Sequence, residues 1–465
     1  MSRLPRPRRL AAGLSAAALV CVSLGATTNA HAAATAGPLM NYVVNTKATP
    51  GHVRKTEEAV KDAGGTVLVS YRQLGVVVAQ STNPDFRTDI RATHNGREVE
   101  SVGATRTVAV SEGAGGLSSA DETDATPVAD PREGEQWDMQ QIKADQAHAV
   151  TDGSRNVLVG INDSGVDDTH PDLAPNFDAA DSVNCVNNGV PDTTPGGWRP
   201  TTSIHGTHVA GIVAAARNGI GIVGVAPGVR IASVKVVNDA GFIYPEYSIC
   251  GIVWAAEHHM AVTNHSYFID PWEFWCDDNG DQGAVQEAVR RAYAWATDQG
   301  TLSVAAAGNA NYDLANKTTD SGSPDDQATP VTRTINNDCL DMPTELPGVI
   351  TVASTTQTRA RSGFSNFGLG KIDVAAPGSS ILSTVPGGYA KLSGTSMASP
   401  HVTGIAALMK STHPWWGPRD IERALQREAD DTACPTTPDA RCTGTTANNS
   451  FYGEGIADAL DAVTR

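Results

Sequence analysis

The chain has 465 residues, 40% of them hydrophobic, and a formal charge of −17 at pH 7. That length accommodates a large α/β domain with accessory pieces, and the negative charge argues against nucleic-acid binding. Beyond residue 34 no stretch is long and apolar enough to span a bilayer.

Residues 1–34 hold four arginines (Arg3, Arg6, Arg8, Arg9) and no acid, so without them the charge is −17 − 4 = −21. An apolar stretch from Leu10 to about Ala26 follows the arginines, and Ala30-His31-Ala32 offers small residues for cleavage. This pattern reads as a secretory signal peptide, so the mature protein is expected to be secreted and extracellular. Cys21 lies inside it. The six remaining cysteines are an even number with no C-x-x-C pair, which suggests three disulfides in one of fifteen connectivities and argues against zinc.

Residues 38–110 read as a small domain of their own. The spacing predicts strands over Met40–Asn45, Thr66–Tyr71 and Leu74–Gln80, and helices over Val53–Ala63 and between Pro84 and His94. Arg106–Val110 is placed as a closing strand, giving the βαββαβ order of a ferredoxin-like α+β fold. Residues 111–130 are rich in Gly, Ser, Ala, Asp and Thr without apolar periodicity, and read as a linker open to proteolysis. From residue 131 to 465 strands and helices alternate. Strands are predicted at Asn156–Ile161, Arg230–Val237, Ala261–Thr263, Thr301–Ala306, Gly348–Ala353 and Ile372–Ala375. Helices are predicted at His205–Ala216, Pro245–His258, Gln282–Asp298, Pro400–Lys410, Pro418–Ala429 and Ile456–Val463. Strands apolar on both parities between helices imply an α/β fold with a doubly wound, mostly parallel sheet. Ligands of such sheets bind beyond the strand carboxyl ends.

Several polar residues fall at those ends. Asp163 follows a strand in Asn162-Asp163-Ser164-Gly165, where an Asx-turn is the ordinary explanation. His205 opens a helix poor in bulk, His205-Gly206-Thr207-His208-Val209-Ala210-Gly211. His205 and His208 share a face, but the spacing of an H-E-x-x-H metal pair is missing, and His208 reads as structural. Asn309 and Ser266 each follow a strand, and an amide so placed can donate to an oxyanion. Ser396, in Gly394-Thr395-Ser396-Met397-Ala398-Ser399-Pro400, sits at or near a helix N-terminus, where free N–H groups and the macrodipole favour an anion.

Together these stretches resemble the subtilisin-like serine proteases, the subtilase family, from roughly Gln136 to Ala429 and in the family's order Asp, His, Ser. The resemblance implies a serine endopeptidase acting through an acyl-enzyme. Ser396 would be the nucleophile, His205 the general base and acid, and Asp163 the orienting carboxylate. Asn309 and the Ser396 N–H would form the oxyanion hole, and Ser266, Ala306 and Gly308 would contact substrate. Residues 38–110 resemble the family's inhibitory propeptide, which implies a self-processed zymogen. The expected partners are protein or peptide substrates and the chain's own propeptide, with no membrane contact after signal cleavage and a monomeric state. No cofactor is expected for catalysis. Structural Ca²⁺ is, held by Asp172, Asn218 and the carbonyls of Ala216, Ile220 and Ile222, with Asp130 as a weaker carboxylate.

Two stretches depart from the family pattern. Asn162 stands where an apolar residue is usual. Ser266-Tyr267-Phe268-Ile269-Asp270-Pro271-Trp272 replaces Ser-Leu-Gly-Gly in a bulky, aromatic and acidic insert through Asp281, so substrate preference does not carry over. Cys434 and Cys442 flank a short polar loop and are expected to pair. Cys276 with Cys339 would bracket the region around Asn309, leaving Cys185 with Cys250. Three further readings stay beside the leading one: an inactive homologue that only binds peptides, a narrow processing protease, and an α/β-hydrolase esterase. The last needs Gly-x-Ser-x-Gly and the order Ser, Asp, His, which this chain lacks.

Overall fold

The computed structural model describes residues 36–111 and 130–465. The stretch read as a signal peptide and nearly all of that read as a linker lie outside the described residues. From Gly37 to Arg465 the chain forms one compact unit.

The N-terminal part runs β1 (Met40–Asn45), α1 (Pro50–Asp62), β2 (Gly65–Tyr71), β3 (Val76–Ser81), α2 (Phe86–Ala92) and β4 (Ser101–Ala104). Its antiparallel sheet has the order β2-β3-β1-β4, the ferredoxin-like arrangement. Helix α1 begins where Thr49 accepts the His52 N–H and Pro50 supplies a preset φ. One sheet face, with Tyr42, Val44, Val77 and Ala79, packs among Val53, Val60, Phe86 and Ile90 of the two helices. The other face, with Val43, Tyr71, Val76 and Val78, packs on two helices of the larger part. The closing strand is not Arg106–Val110. It is Ser101–Ala104, because Arg106 and Thr107 bond across to Glu246 and Asp326 instead of to the sheet.

The larger part begins with short helices α3 (Trp137–Gln141) and α4 (Ala144–Ala147). Next come β5 (Leu158–Asp163), β6 (Val183–Asn184), α5 (His205–Ala214), β7 (Arg230–Lys235), α6 (Pro245–Glu257), β8 (Val262–His265), α7 (Gly280–Asp298) and β9 (Leu302–Ala306). A two-strand ribbon, β10 (Thr319–Asp320) and β11 (Arg333–Thr334), precedes β12 (Val349–Thr355) and β13 (Val374–Pro377). The hairpin β14 (Ile381–Val385) and β15 (Gly388–Leu392) leads into α8 (Thr395–Thr412), α9 (Pro418–Glu428) and α10 (Ala459–Thr464). The main sheet has seven strands in the order β13-β12-β9-β8-β5-β7-β6, all parallel. One face is covered by α5 and α8, whose Val209, Ile212, Val402 and Ile405 join Val159, Ile161, Val304 and Val352 in the largest core cluster. Helices α6 and α7 cover another stretch and present their outer sides to the N-terminal sheet. The hairpin was not anticipated from sequence, and element ends move by a few residues, most at α8, which begins at Thr395 and not at Pro400.

All three disulfides pair as expected: Cys185–Cys250, Cys276–Cys339 and Cys434–Cys442. Among the described residues no helix is long and apolar enough to cross a membrane.

Candidate active site

Strand β5 is where the sheet order reverses, with β7 and β6 on one side and β8, β9, β12 and β13 on the other. The crevice beyond its carboxyl end is the natural ligand site of such a sheet. Asp163, the last residue of β5, is buried there, and His205 is the first residue of α5. Gly206 lets the helix start approach: a Cβ there would lie 2.4 Å from the Gly165 carbonyl and 3.1 Å from Asp163 Oδ1. His205 Nδ1 consequently lies 2.9 and 3.0 Å from the two Asp163 oxygens. Burial works to lower the imidazole pKa, but the charge and hydrogen bond of Asp163 outweigh it and the net shift is upward.

Ser396 is the second residue of α8, in its first turn. Pro400 inside that helix has no N–H to give to the Ser396 carbonyl four residues earlier. The Ser266 hydroxyl takes that place, donating to the Ser396 carbonyl at 2.9 Å. It also contacts Ser399 Oγ at 2.9 Å and accepts from Asn264 Nδ2 at 2.8 Å. The side chain of Ser266 therefore braces the serine-bearing helix, and its backbone carbonyl accepts the Ser396 hydroxyl at 3.2 Å.

Asn309 lies beyond β9. Its Oδ1 accepts the Thr395 N–H at 2.8 Å and the Thr395 hydroxyl at 2.9 Å. That fixes the amide plane and leaves Nδ2 to donate. A Cβ on Gly394 would stand 3.6 Å from this nitrogen, so the glycine keeps the space in front of it open. Ser266, Ala306, Gly308, Asn309 and Ser396 all line one cleft of 490 Å³. Four acids on its walls escaped sequence reasoning as site residues: Asp270, Glu273, Asp325 and Asp341. They come from loops separated in sequence by α7, β9 and the β10–β11 ribbon, and only the acidic insert from Ser266 through Asp281 signalled any of them. His208 is structural, as read: it is buried, its Nε2 lies 3.1 Å from the Ile381 and Ala390 carbonyls of the hairpin, and burial pushes it down to about 4.

The sequence profile described as the Subtilase family matches residues 154–455. The chain belongs to this family. Subtilisin NAT of Bacillus subtilis subsp. natto is 34% identical over 329 residues, which cover 70% of each chain. Subtilisin Savinase of Lederbergia lenta is 32% identical over 330 residues, 71% of this chain and 98% of its own. The protein is thus a serine-type endopeptidase of the subtilisin type. The subtilase fold recurs in solved structures. The epidermin leader peptide processing serine protease of Staphylococcus aureus superposes with TM-score 0.69 at 23% identity, over 92% of this chain and 98% of that one. Fervidolysin from Fervidobacterium pennivorans gives 0.64 at 24%, over 93% and 62%.

In this subtilase the loop after α5 folds over Asp172. Asp172 Oδ2 accepts the Ile222 N–H at 3.0 Å and the Tyr389 hydroxyl at 2.8 Å, while its Oδ1 is buried without a hydrogen-bond partner. Burial raises its pKa, and the Ile222 N–H, the Tyr389 hydroxyl and His170 offset that only in part. Gly221, at φ +58°, is pressed against it: a Cβ there would lie 2.2 Å from Oδ2. Asn218 Oδ1 accepts the Ile220 N–H at 3.1 Å. Asp130 Oδ1 accepts the N–H groups of Asn218 and Gly219 and so anchors the loop. The charge of Arg217 is engaged away from Asp172, with Glu133, Asp152 and His148. An orphaned anionic oxygen beside a carbonyl-bearing loop fits a hard cation. No group of three or more His, Cys, Asp or Glu side chains gathers for a metal among the described residues, so carbonyls would supply most ligands.

Proposed function

We propose that Asp163, His205 and Ser396 work as a hydrolytic triad in a secreted endopeptidase made as a self-processed zymogen. The observation that carries this reading is the His205 Nδ1 bond to Asp163 beside a cleft holding Ser396 and Asn309. In the reaction Ser396 Oγ leaves the Ser266 carbonyl and attacks the substrate carbonyl as His205 Nε2 takes its proton. Asp163 holds the ring and offsets the imidazolium charge. The oxyanion is met by Asn309 Nδ2 and the Ser396 N–H at the positive end of α8. The imidazolium then protonates the leaving amine, and water repeats the steps on the acyl-enzyme.

The zymogen reading rests on the N-terminal sheet's apolar face, seated on α6 and α7, and on buried Arg106, paired with Glu246 and lying over the Tyr244 ring at 3.8 Å. Secretion rests on the sequence of residues 1–34 and on three disulfides. Calcium, if bound, would be held by Asp172 Oδ1, Asn218 and the carbonyls of Ala216, Ile220 and Ile222. It would supply a counter-charge that stiffens this loop and takes no part in proton transfer. A narrow processing role is favoured over broad digestion by one observation, the acidic lining of the cleft.

The test is labelling by a fluorophosphonate. The mature enzyme should label on Ser396, and Ser396→Ala should neither label nor mature, accumulating a precursor uncut between residues 110 and 135. Asn309→Leu should still label but lose roughly 10²–10³ in kcat, a magnitude known from subtilisin itself. A wild-type enzyme that resists the reagent while folded would sink the triad assignment.

A further inference from the structure

The cleft beside Ser396 and Asn309 is built for charge. Asp341 is 2% exposed, faces this cleft, and its Oδ1 has no hydrogen-bond partner. A Cβ on Gly308 would lie 3.6 Å from its other oxygen, which places the carboxylate next to the residue that precedes Asn309. Asp270, 3% exposed, accepts the Ile243 N–H and pairs carboxyl to carboxyl with Asp325, whose Oδ1 is again buried without a partner. Glu273 lies on the same wall, where burial and then the charges of Asp320 and Asp325 push it up to about 7.

The cations that act on these acids are committed elsewhere. Arg333 pairs with Asp320 at 2.7 Å and donates to the Phe274 carbonyl. Lys317 is buried against Glu345. A buried carboxylate without a counter-charge is expensive, and a fold that keeps one beside its reactive serine has a use for it. Apolar wall residues, among them Phe242, Tyr267 and Phe268, suit the methylene stem of a long cationic side chain. Just outside the cleft, the segment after β4 meets two further acids, Thr107 N–H donating to Asp326 and Arg106 pairing with Glu246.

We propose that this cleft receives the substrate side chain on the acyl side of the scissile bond and selects arginine or lysine there, with Asp341 as the principal counter-charge. The proposal rests on the triad reading above, because that reading puts the scissile carbonyl between Ser396 and Asn309. A guanidinium or ammonium entering the cleft gives Asp341 the partner it lacks and bridges towards Glu273.

The experiment uses mature enzyme, its active sites counted with fluorophosphonate, on tetrapeptide p-nitroanilides that differ only in the last residue. Arginine and lysine substrates should exceed phenylalanine and leucine in kcat/KM by roughly 10- to 100-fold, the worth of a charged hydrogen bond. Benzamidine should inhibit competitively. Asp341→Asn, which keeps the shape, should lower the cationic substrates and raise the apolar ones until the order inverts. Glu273→Gln should move the ratio the same way by less. A labelled wild-type enzyme that prefers phenylalanine or leucine overturns the proposal, as does Asp341→Asn with its ratio unmoved. Failure to label Ser396 counts against the triad reading instead. The pocket is then read by calorimetry, where benzamidine binding to wild type that vanishes in Asp341→Asn supports the proposal and absent binding overturns it.

Discussion

His265 ends β8 one residue before Ser266 and is fully buried. Its Nε2 contacts the Thr263 hydroxyl at 2.8 Å, and its Nδ1 the hydroxyls of Tyr267 at 2.9 Å and Tyr293 at 3.2 Å. Burial pushes the imidazole from its ordinary 6.5 down to about 3. Between those values the unfolded chain carries a proton that the folded chain refuses, so stability rises with pH through this window and is fully present above 6.5. Each pH unit is worth about 1.4 kcal/mol, so by pH 4 the folded state has lost roughly 3 kcal/mol to this one side chain. Replacing His265 by Gln leaves buried hydroxyls imperfectly paired, a cost of about 2 kcal/mol that does not depend on pH. The variant should therefore be less stable than its parent at pH 8, equal to it near pH ~5, and more stable at pH ~4. Both proteins would carry Ser396→Ala to prevent autolysis, and unfolding would be followed by calorimetry across the range. The buried carboxylates with raised pKa values contribute in the opposite sense, but they are common to both proteins and cancel in the difference. Stability curves that stay parallel from pH 8 to 4 would refute the reasoning.

Two further outcomes are expected. Excess EDTA should lower the melting temperature of the mature enzyme, by the equivalent of about 2.7 kcal/mol if the metal stood at a hundredfold excess over its Kd, and Asp172→Ala should abolish that sensitivity. Elemental analysis without metal and an unmoved melting temperature would leave the loop a purely protein-held structure. Arg106→Met removes one partner of a buried ion pair and strands Glu246, a loss of about 3–5 kcal/mol. In the Ser396→Ala precursor, amide exchange over Met40–Ala104 should accelerate, and an unchanged rate would mean that the apolar sheet face alone holds the domain.

The sequence by itself determined the alternation of strands and helices, the parallel sheet and the chain order Asp163, His205, Ser396. Those properties are local: apolar runs set the period, and Gly206 and Gly394 sit beside the residues they make room for. Of the disulfides it signalled only Cys434–Cys442, across a short loop, and the pairing of the other four cysteines was decided by the tertiary structure. The strand at Arg106–Val110 was misread because Arg106, Thr107 and their neighbours look extended in isolation. Their partners, Glu246 and Asp326, are more than a hundred residues away, and only docking of the N-terminal sheet on α6 and α7 reveals them. The same docking buries β1 and β3 on both faces, which alternation alone cannot announce. The role of the Ser266 hydroxyl as a stand-in for the N–H that Pro400 lacks, and the meeting of Asp270, Glu273, Asp325 and Asp341 in one cleft, were likewise decided by tertiary structure. Hydrogen bonds and charges act through space at a few ångströms, and sequence separation says nothing of that distance until the sheet order brings the loops together.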